Sequence, residues 1–340
     1  MIFVYIIRLD GKIINKEYNL KGDDYMPGYL THYIFGKQEY KKLSESDLKQ
    51  AVRENINVFN LGLQGPDIFF YYPGYFLINK KNLGSIMHRN KTGRYISNML
   101  KFIYDCKDSE EKKICIAYLS GFLAHYDLDR TCHPYIYHKT NYMHKGKEYH
   151  GRHVALETDI DFVLCREVLK RKISKINYGG FVKLNRKQCK VVGRMLSVSC
   201  SEAFDNIRFG ERIASAVVAN MGRIIDVIKD QYGKKEKIIG KIEQKLKGAK
   251  NFAPLFVGDN YILKNLDPLN EKKTAWYNPW EDTISQIRYD SFKELMELAS
   301  ERYQKSLGFL LGAIQSSDMK QFVRYVGNKS FLSGLEIEEL

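Results

Sequence analysis

The chain has 340 residues, 44% of them hydrophobic and only 7 of them proline, which suits one large domain or two ordinary ones and excludes a long disordered tail. Its 54 basic residues against 40 acidic ones give a net charge of +14, which fits an anionic partner such as nucleic acid or a phospholipid surface without choosing between them. No stretch reaches the roughly 18 apolar residues that a transmembrane segment needs, so the chain reads as soluble or peripheral.

The apolar residues 1–7 run straight into Arg8 and Asp10, with no basic region before them and no cleavage site after. No signal peptide is read, and a cytoplasmic location is expected. The six cysteines form no CxxC pair and are expected to be free thiols. Alternation over 3–7 and 12–15 around Asp10-Gly11 predicts a short N-terminal hairpin, and Met26, six residues before His32, offers a second start. Beyond Met26 the pattern is helical. Ser44 with Asp47 reads as a capping box ahead of Leu48, Ala51, Val52 and Ile56, and residues 62–75 read as a loop rich in Gly, Pro and Tyr. A helix is predicted over 93–106. Asp108 with Glu111 caps another, running from Ile114 to about Asp129. Further helices are predicted over 151–172, 185–199, 203–231, 234–247 and 285–314. Residues 234–250 interleave lysines with Ile238, Ile239, Ile242 and Leu246, an amphipathic helix that faces solvent or, in the sharper reading, a membrane surface. Residues 248–278 read as a long connection, with the last helix packing back on the first ones. The sum is an all-α fold, a single multi-helix bundle without internal repeats.

Histidine placement carries the most information. Six of the eight histidines (His125, His133, His138, His144, His150 and His153) fall within 29 residues, where even scatter would place fewer than one. Neutral nitrogen ligands crowded beside carboxylates point to a metal. His125 with Asp129, and His153 with Glu157, are four apart and share a helix face, so each pair can converge on one cation. Pro134 disfavours helical geometry at His133, so the helix is expected to end before His133 and turn its ring toward a different metal. His138, His144 and His150 are read as a loop facing the cluster, with His150 as a spare ligand.

The order Leu30-Thr31-His32, Gly65-Pro66-Asp67, His88, His125-Tyr126-Asp127-Leu128-Asp129, His133 and His153-Val154-Ala155-Leu156-Glu157 resembles the zinc-dependent phospholipase C family, whose relatives include zinc-dependent single-strand nucleases. The resemblance implies a buried zinc cluster in a helical domain over 26–247, after an N-terminal extension of 1–25 and before a connection and C-terminal helix over 248–340 on the same domain. It implies that Asp67, His88, His125 and Asp129 hold a first Zn2+, and that His133, His153 and Glu157 hold a second. His32, sharing Asp129, would hold a third. The family completes that third site with an N-terminal tryptophan, and the tryptophans here are Trp276 and Trp280, so two zinc ions are expected and the third is left open. Asp67 doubles as ligand and catalytic general base in this reading.

The implied function is phospholipase C-type hydrolysis of a phospholipid phosphodiester by metal-activated water, with peripheral membrane contact and the aromatics of 69–76 bordering the mouth. A nuclease or phosphatase on the same cluster is the alternative, with bases stacking on those rings. A non-catalytic, basic, metal-stabilised binding protein is the third.

Overall fold

The computed structural model describes residues 28–70, 82–144, 146–205, 207, 209–281 and 286–337. The hairpin expected over 3–15 and the start at Met26 lie outside them.

One long helix organises the molecule. Its N-cap is Asp108, whose carboxylate accepts from the Glu111 amide at 2.8 Å, and it runs over Ser109–Lys139. From Ile114 to Tyr137 every residue is buried, the charged ones included, so this helix sits inside the bundle rather than on its surface. In chain order the helices are α1 (Tyr29–Lys42), α2 (Asp47–Glu54), α3 (Ile56–Gly62), α4 (Leu83–Met87), α5 (Thr92–Asp105), this central α6, α7 (Tyr149–Leu164), α8 (Tyr178–Phe181), α9 (Arg186–Ala203), α10 (Glu211–Ile228), α11 (Lys234–Lys247), α12 (Phe292–Ser316) and α13 (Lys320–Val326). α1, α2, α3, α5, α7, α9 and α12 all pack on α6, and α9 and α10 pair with each other. Among the described residues there are only isolated bridges and no strands. The fold is all-α. No helix among them is long and apolar enough to cross a membrane.

Several boundaries differ from the sequence reading. The cap of α2 is Ser46, which accepts from the Lys49 amide, rather than Ser44. Residues 203–231 do not make one helix: α9 ends at Ala203 and α10 begins at Glu211. The last long helix starts at Phe292, where Ser291 and Glu294 form a reciprocal capping box. The most consequential difference is at Pro134, which lies inside α6 instead of ending it. The Arg130 carbonyl, which Pro134 cannot satisfy, packs against Gly334, whose lack of a side chain leaves it room. Packing on all sides of α6 outweighs the local preference of His133 for extended backbone.

α12 closes the bundle over α6. Tyr303 donates to the Ser120 carbonyl at 3.1 Å and Ser306 to the Asp127 carboxylate at 2.6 Å. All six cysteines are free thiols, as expected.

Candidate metal centre

The continued helix puts His125, Asp129 and His133 at i, i+4 and i+8 on one face of α6, so His133 joins its neighbours from the same element. The Nε2 of His125 lies 2.9 Å from Asp129 Oδ2, and the Nδ1 of His133 lies 3.6 Å from it.

Asp67 reaches this face through a close backbone approach. α3 and α6 touch at Gly62 and Gly121, where a Cβ would lie 2.3 Å from the Tyr118 carbonyl and 2.2 Å from the Phe59 carbonyl respectively. The following turn, Gly65–Phe69, opens at Gly65 with φ of 48°, and a Cβ there would lie 2.2 Å from the His125 ring. Glycine serves both demands. Gly65-Pro66 is thus the hinge that lays Asp67 against the cluster, and Asp67 Oδ1 stands 3.2 Å from His88 Nε2 just after α4.

α7 brings His153 and Glu157 from the opposite side. Glu157 Oε1 is 3.2 Å from His153 Nε2 and 3.5 Å from His133 Nε2. From α1, His32 Nε2 approaches Asp129 Oδ1 at 3.2 Å, and its ring stacks on His125 with centroids 4.1 Å apart. One turn beyond Glu157, Asp161 accepts from the Leu30 amide at 3.0 Å, the Thr31 amide at 2.7 Å and the Thr31 hydroxyl at 2.5 Å. It fixes the first turn of α1 and so the position of His32. Burial pushes the Asp161 carboxyl up to about 7. Sequence reasoning missed this residue, although His153, Glu157 and Asp161 keep the same four-residue spacing.

Three groups therefore have ligand atoms within 4.8 Å of one another: Asp67, His88 and His125; His32, His125 and Asp129; and His133, His153 and Glu157. His125 stands in two of them, and Asp129 also lies 3.7 Å from His88 Nε2. All eight residues are buried. Each of three rings points its Nδ1 at a backbone carbonyl: His88 at Gly84 (2.7 Å), His125 at Leu63 (3.0 Å) and His133 at Phe331 (2.9 Å). A carbonyl can only accept, so each neutral ring carries its proton there and presents a bare Nε2 to the centre. His88 Nε2, His125 Nε2, Asp67 Oδ1, Asp129 Oδ2 and Glu157 Oε2 are buried without a hydrogen-bond partner. Orphaned nitrogen and carboxylate donors, with no cysteine among them, fit zinc, and the mixture is that of catalytic rather than closed structural sites.

Electrostatics follow from the crowding. Burial alone would push Asp129 up, but His125, His133 and His32 around it hold it well below the usual carboxylate range. Burial lowers the His125 imidazole and would do the same to His88, but the carboxylates of Asp129 and Asp67 carry His88 up to about 10.

The remaining candidates fall elsewhere. His138 ends α6 against Tyr277, His144 lies exposed in the turn Tyr142–His144, and His150 packs edge-on to Phe252, in none of the three groups. The loop that was to hold all three shrinks because α6 continues to Lys139. Phe69 lies in the main core and Phe70 in a small cluster with Tyr137, Tyr149 and Leu332, so neither borders an open mouth. Residues 71–76 lie outside the described part. Phe331 was also missed. Its carbonyl faces His133, its amide donates to the His88 carbonyl at 3.1 Å, and its ring lies 4.9 Å from the ring of His88 and 5.7 Å from that of His125.

An all-helical bundle with histidines and carboxylates converging inside it has the form of a candidate metal centre built on facing helices. The sequence model of the family described as zinc dependent phospholipase C matches residues 31–196, the stretch from the first turn of α1 into α9 that holds every one of these candidate ligands. Over that stretch, a little under half of the chain, the sequence is similar to the zinc-dependent phospholipase C family. No curated protein and no solved structure matches the chain.

Proposed function

We propose that this protein hydrolyses phospholipid phosphodiesters in the manner of a phospholipase C, with its zinc ions held by Asp67, His88, His125 and Asp129, by His133, His153 and Glu157, and by His32 sharing Asp129. The observation that carries the reading is that three donor groups lie together in the bundle, two of them sharing His125, with Asp129 of one 3.7 Å from His88 of the other and 3.6 Å from His133 of the third. When bound, such ions act as Lewis acids on phosphate oxygens and bring the pKa of a coordinated water toward neutrality.

The chain's own residues supply the rest. Asp67 Oδ1, buried and without a hydrogen-bond partner, takes the proton from the attacking water. Asp129 bridges donor groups and keeps its negative charge because three histidines surround it. The Nδ1 contacts to backbone carbonyls keep the rings from turning while charge moves. The cavity bordered by His32, Asp129, His133 and Glu157 and closed by Ile136 and Phe292 receives the phosphate.

The test is Asp67→Asn, assayed at saturating zinc on a soluble short-chain phospholipid and a chromogenic phosphodiester, with circular dichroism to confirm folding. Turnover is expected to fall about a hundredfold, the scale of losing a positioned base. A wild-type protein that binds zinc yet cleaves neither lipid nor nucleic-acid diesters overturns the proposal.

A further inference from the structure

Helix α11 has two faces whose chemistry does not match. Its inner face is fixed: Ile239 is buried with Ala253 and Phe256 in a small core of its own, and the buried Glu243 accepts from the amides of Phe252 at 3.0 Å and Ala253 at 2.9 Å. The buried Asp230 receives its first turn, accepting from the Lys234 amide at 3.1 Å and the Glu236 amide at 2.9 Å. The helix is therefore held rigidly whatever covers its outside.

On the outside, Ile238, Ile242 and Leu246 are 59%, 42% and 59% exposed. At about 100° per residue they form one ridge roughly 80° wide, and Lys234, Lys241 and Lys245 form a basic stripe beside it. All three lysines are exposed. Before the helix, Val227 and Tyr232 are also exposed, and Lys235 ties this corner together by donating to the carbonyls of Val227 at 2.8 Å and Lys229 at 2.7 Å. Three long aliphatic side chains in one row are costly to leave in water unless something covers them.

We infer that α11 lies on the surface of an anionic phospholipid bilayer, its aliphatic ridge among the upper acyl chains and its lysines at the headgroups. Charge complementarity selects this occupant. A second copy of a chain with net charge of +14 would set basic stripe against basic stripe. Single-stranded nucleic acid would ask for stacking rings where the ridge has aliphatic chains. A lysine-flanked aliphatic face is the pattern of an interfacial helix, with lysine stems reaching along the ridge to hold their charges in the headgroup layer. The inference deepens the proposed function and rests on it for the reason a bilayer is visited. The inner side of α11 also connects to the helix of the candidate site, because the turn Ala253–Leu255 under it packs on α7, and the Lys250 carbonyl abuts Gly151, two residues before His153.

The test is co-sedimentation of the full chain with vesicles of phosphatidylcholine alone or with about a third phosphatidylserine, beside hydrolysis of a short-chain phospholipid kept monomeric. The variant is Ile238→Gln, Ile242→Gln, Leu246→Gln, which changes only exposed positions and keeps good helix formers. The expected result is wild-type binding that needs phosphatidylserine and weakens in high salt, and at least tenfold weaker binding by the variant, with turnover of the monomeric substrate unchanged. Equal vesicle binding by variant and wild type overturns the inference, as does a wild-type dimer that ignores vesicles and that the variant dissociates. Vesicle binding without hydrolysis of any phospholipid sustains the bilayer surface and removes the hydrolase reading instead.

Discussion

The Nδ1 of His133 lies 2.9 Å from the carbonyl oxygen of Phe331, 198 residues further along the chain. Residues 31–196 carry the family match, yet one of the proposed ligands inside that stretch takes its orientation from a segment far outside it. The same segment reaches a second ligand, since the Phe331 amide and the Ser330 hydroxyl both donate to the His88 carbonyl, at 3.1 and 3.2 Å.

Phe331→Ala tests this strap. Removing a buried ring costs about 3–5 kcal/mol through lost burial and the cavity left behind. If the strap also orients His88 and His133, zinc-loaded protein loses more stability than chelator-treated protein, as measured by denaturant unfolding of each. Equal losses in both would make Phe331 a packing residue and nothing more. Phe331→Leu, which keeps much of the volume, is expected to retain most of the zinc.

Asp127 and Asp129 are two residues apart and serve opposite purposes. Asp127 is buried with Arg130, whose Nε donates to it at 2.8 Å, and with Ser306. Asp127→Ala strands the Arg130 charge and is expected to cost about 3–5 kcal/mol while the folded fraction keeps its zinc. Asp129→Asn is expected to do the reverse, keeping the fold and losing metal. Chemical denaturation with elemental analysis of the folded fraction separates them, and a zinc deficit in Asp127→Ala equal to that of Asp129→Asn contradicts the assignment.

Much of this site was legible because its pairs are local. His125 with Asp129 and His153 with Glu157 follow from helical spacing alone, and the long apolar run around them announces α6. The register of the third α6 histidine was not legible. Pro134 sets a local preference at His133 that burial on all sides of α6 overrides, and burial is a property of the whole fold. Phe331 gave no signal because its part is played mainly by backbone atoms, which any residue supplies. Asp161 did give one, in its four-residue spacing from Glu157.

Metal loading should release protons. In the metal-free protein burial opposes the His88 charge, but Asp129 and Asp67 raise its pKa to about 10, so the ring is protonated at neutral pH and zinc must displace that proton. Because the folded pKa lies above the unfolded one, this charge stabilises the metal-free fold fully below about 6.5 and is lost as pH rises toward 10. Calorimetry of zinc binding in buffers of different ionisation enthalpy is expected to show proton release and an affinity that falls from pH 8 to pH 6. A pH-independent affinity contradicts the role of His88.

Asp161→Ala should loosen one end of α1. The amides of Leu30 and Thr31 lose their acceptor, at a cost of about 2 kcal/mol or more. Amide hydrogen exchange is the direct readout. Protection at Leu30 and Thr31 is expected to fall well before that of α6, and unchanged protection contradicts the tether.

The central claim is that the buried histidines and carboxylates hold zinc, and elemental analysis of the purified chain after equilibration with excess zinc and removal of the free metal tests it most directly. At least two zinc ions per chain are predicted, because the groups around Asp67 and around Glu157 each supply the three protein ligands that a catalytic zinc needs. Asp129→Asn is predicted to lose more zinc than His150→Ala, which stands in none of the three groups. Less than one zinc per wild-type chain, or equal losses from the two variants, would contradict the account.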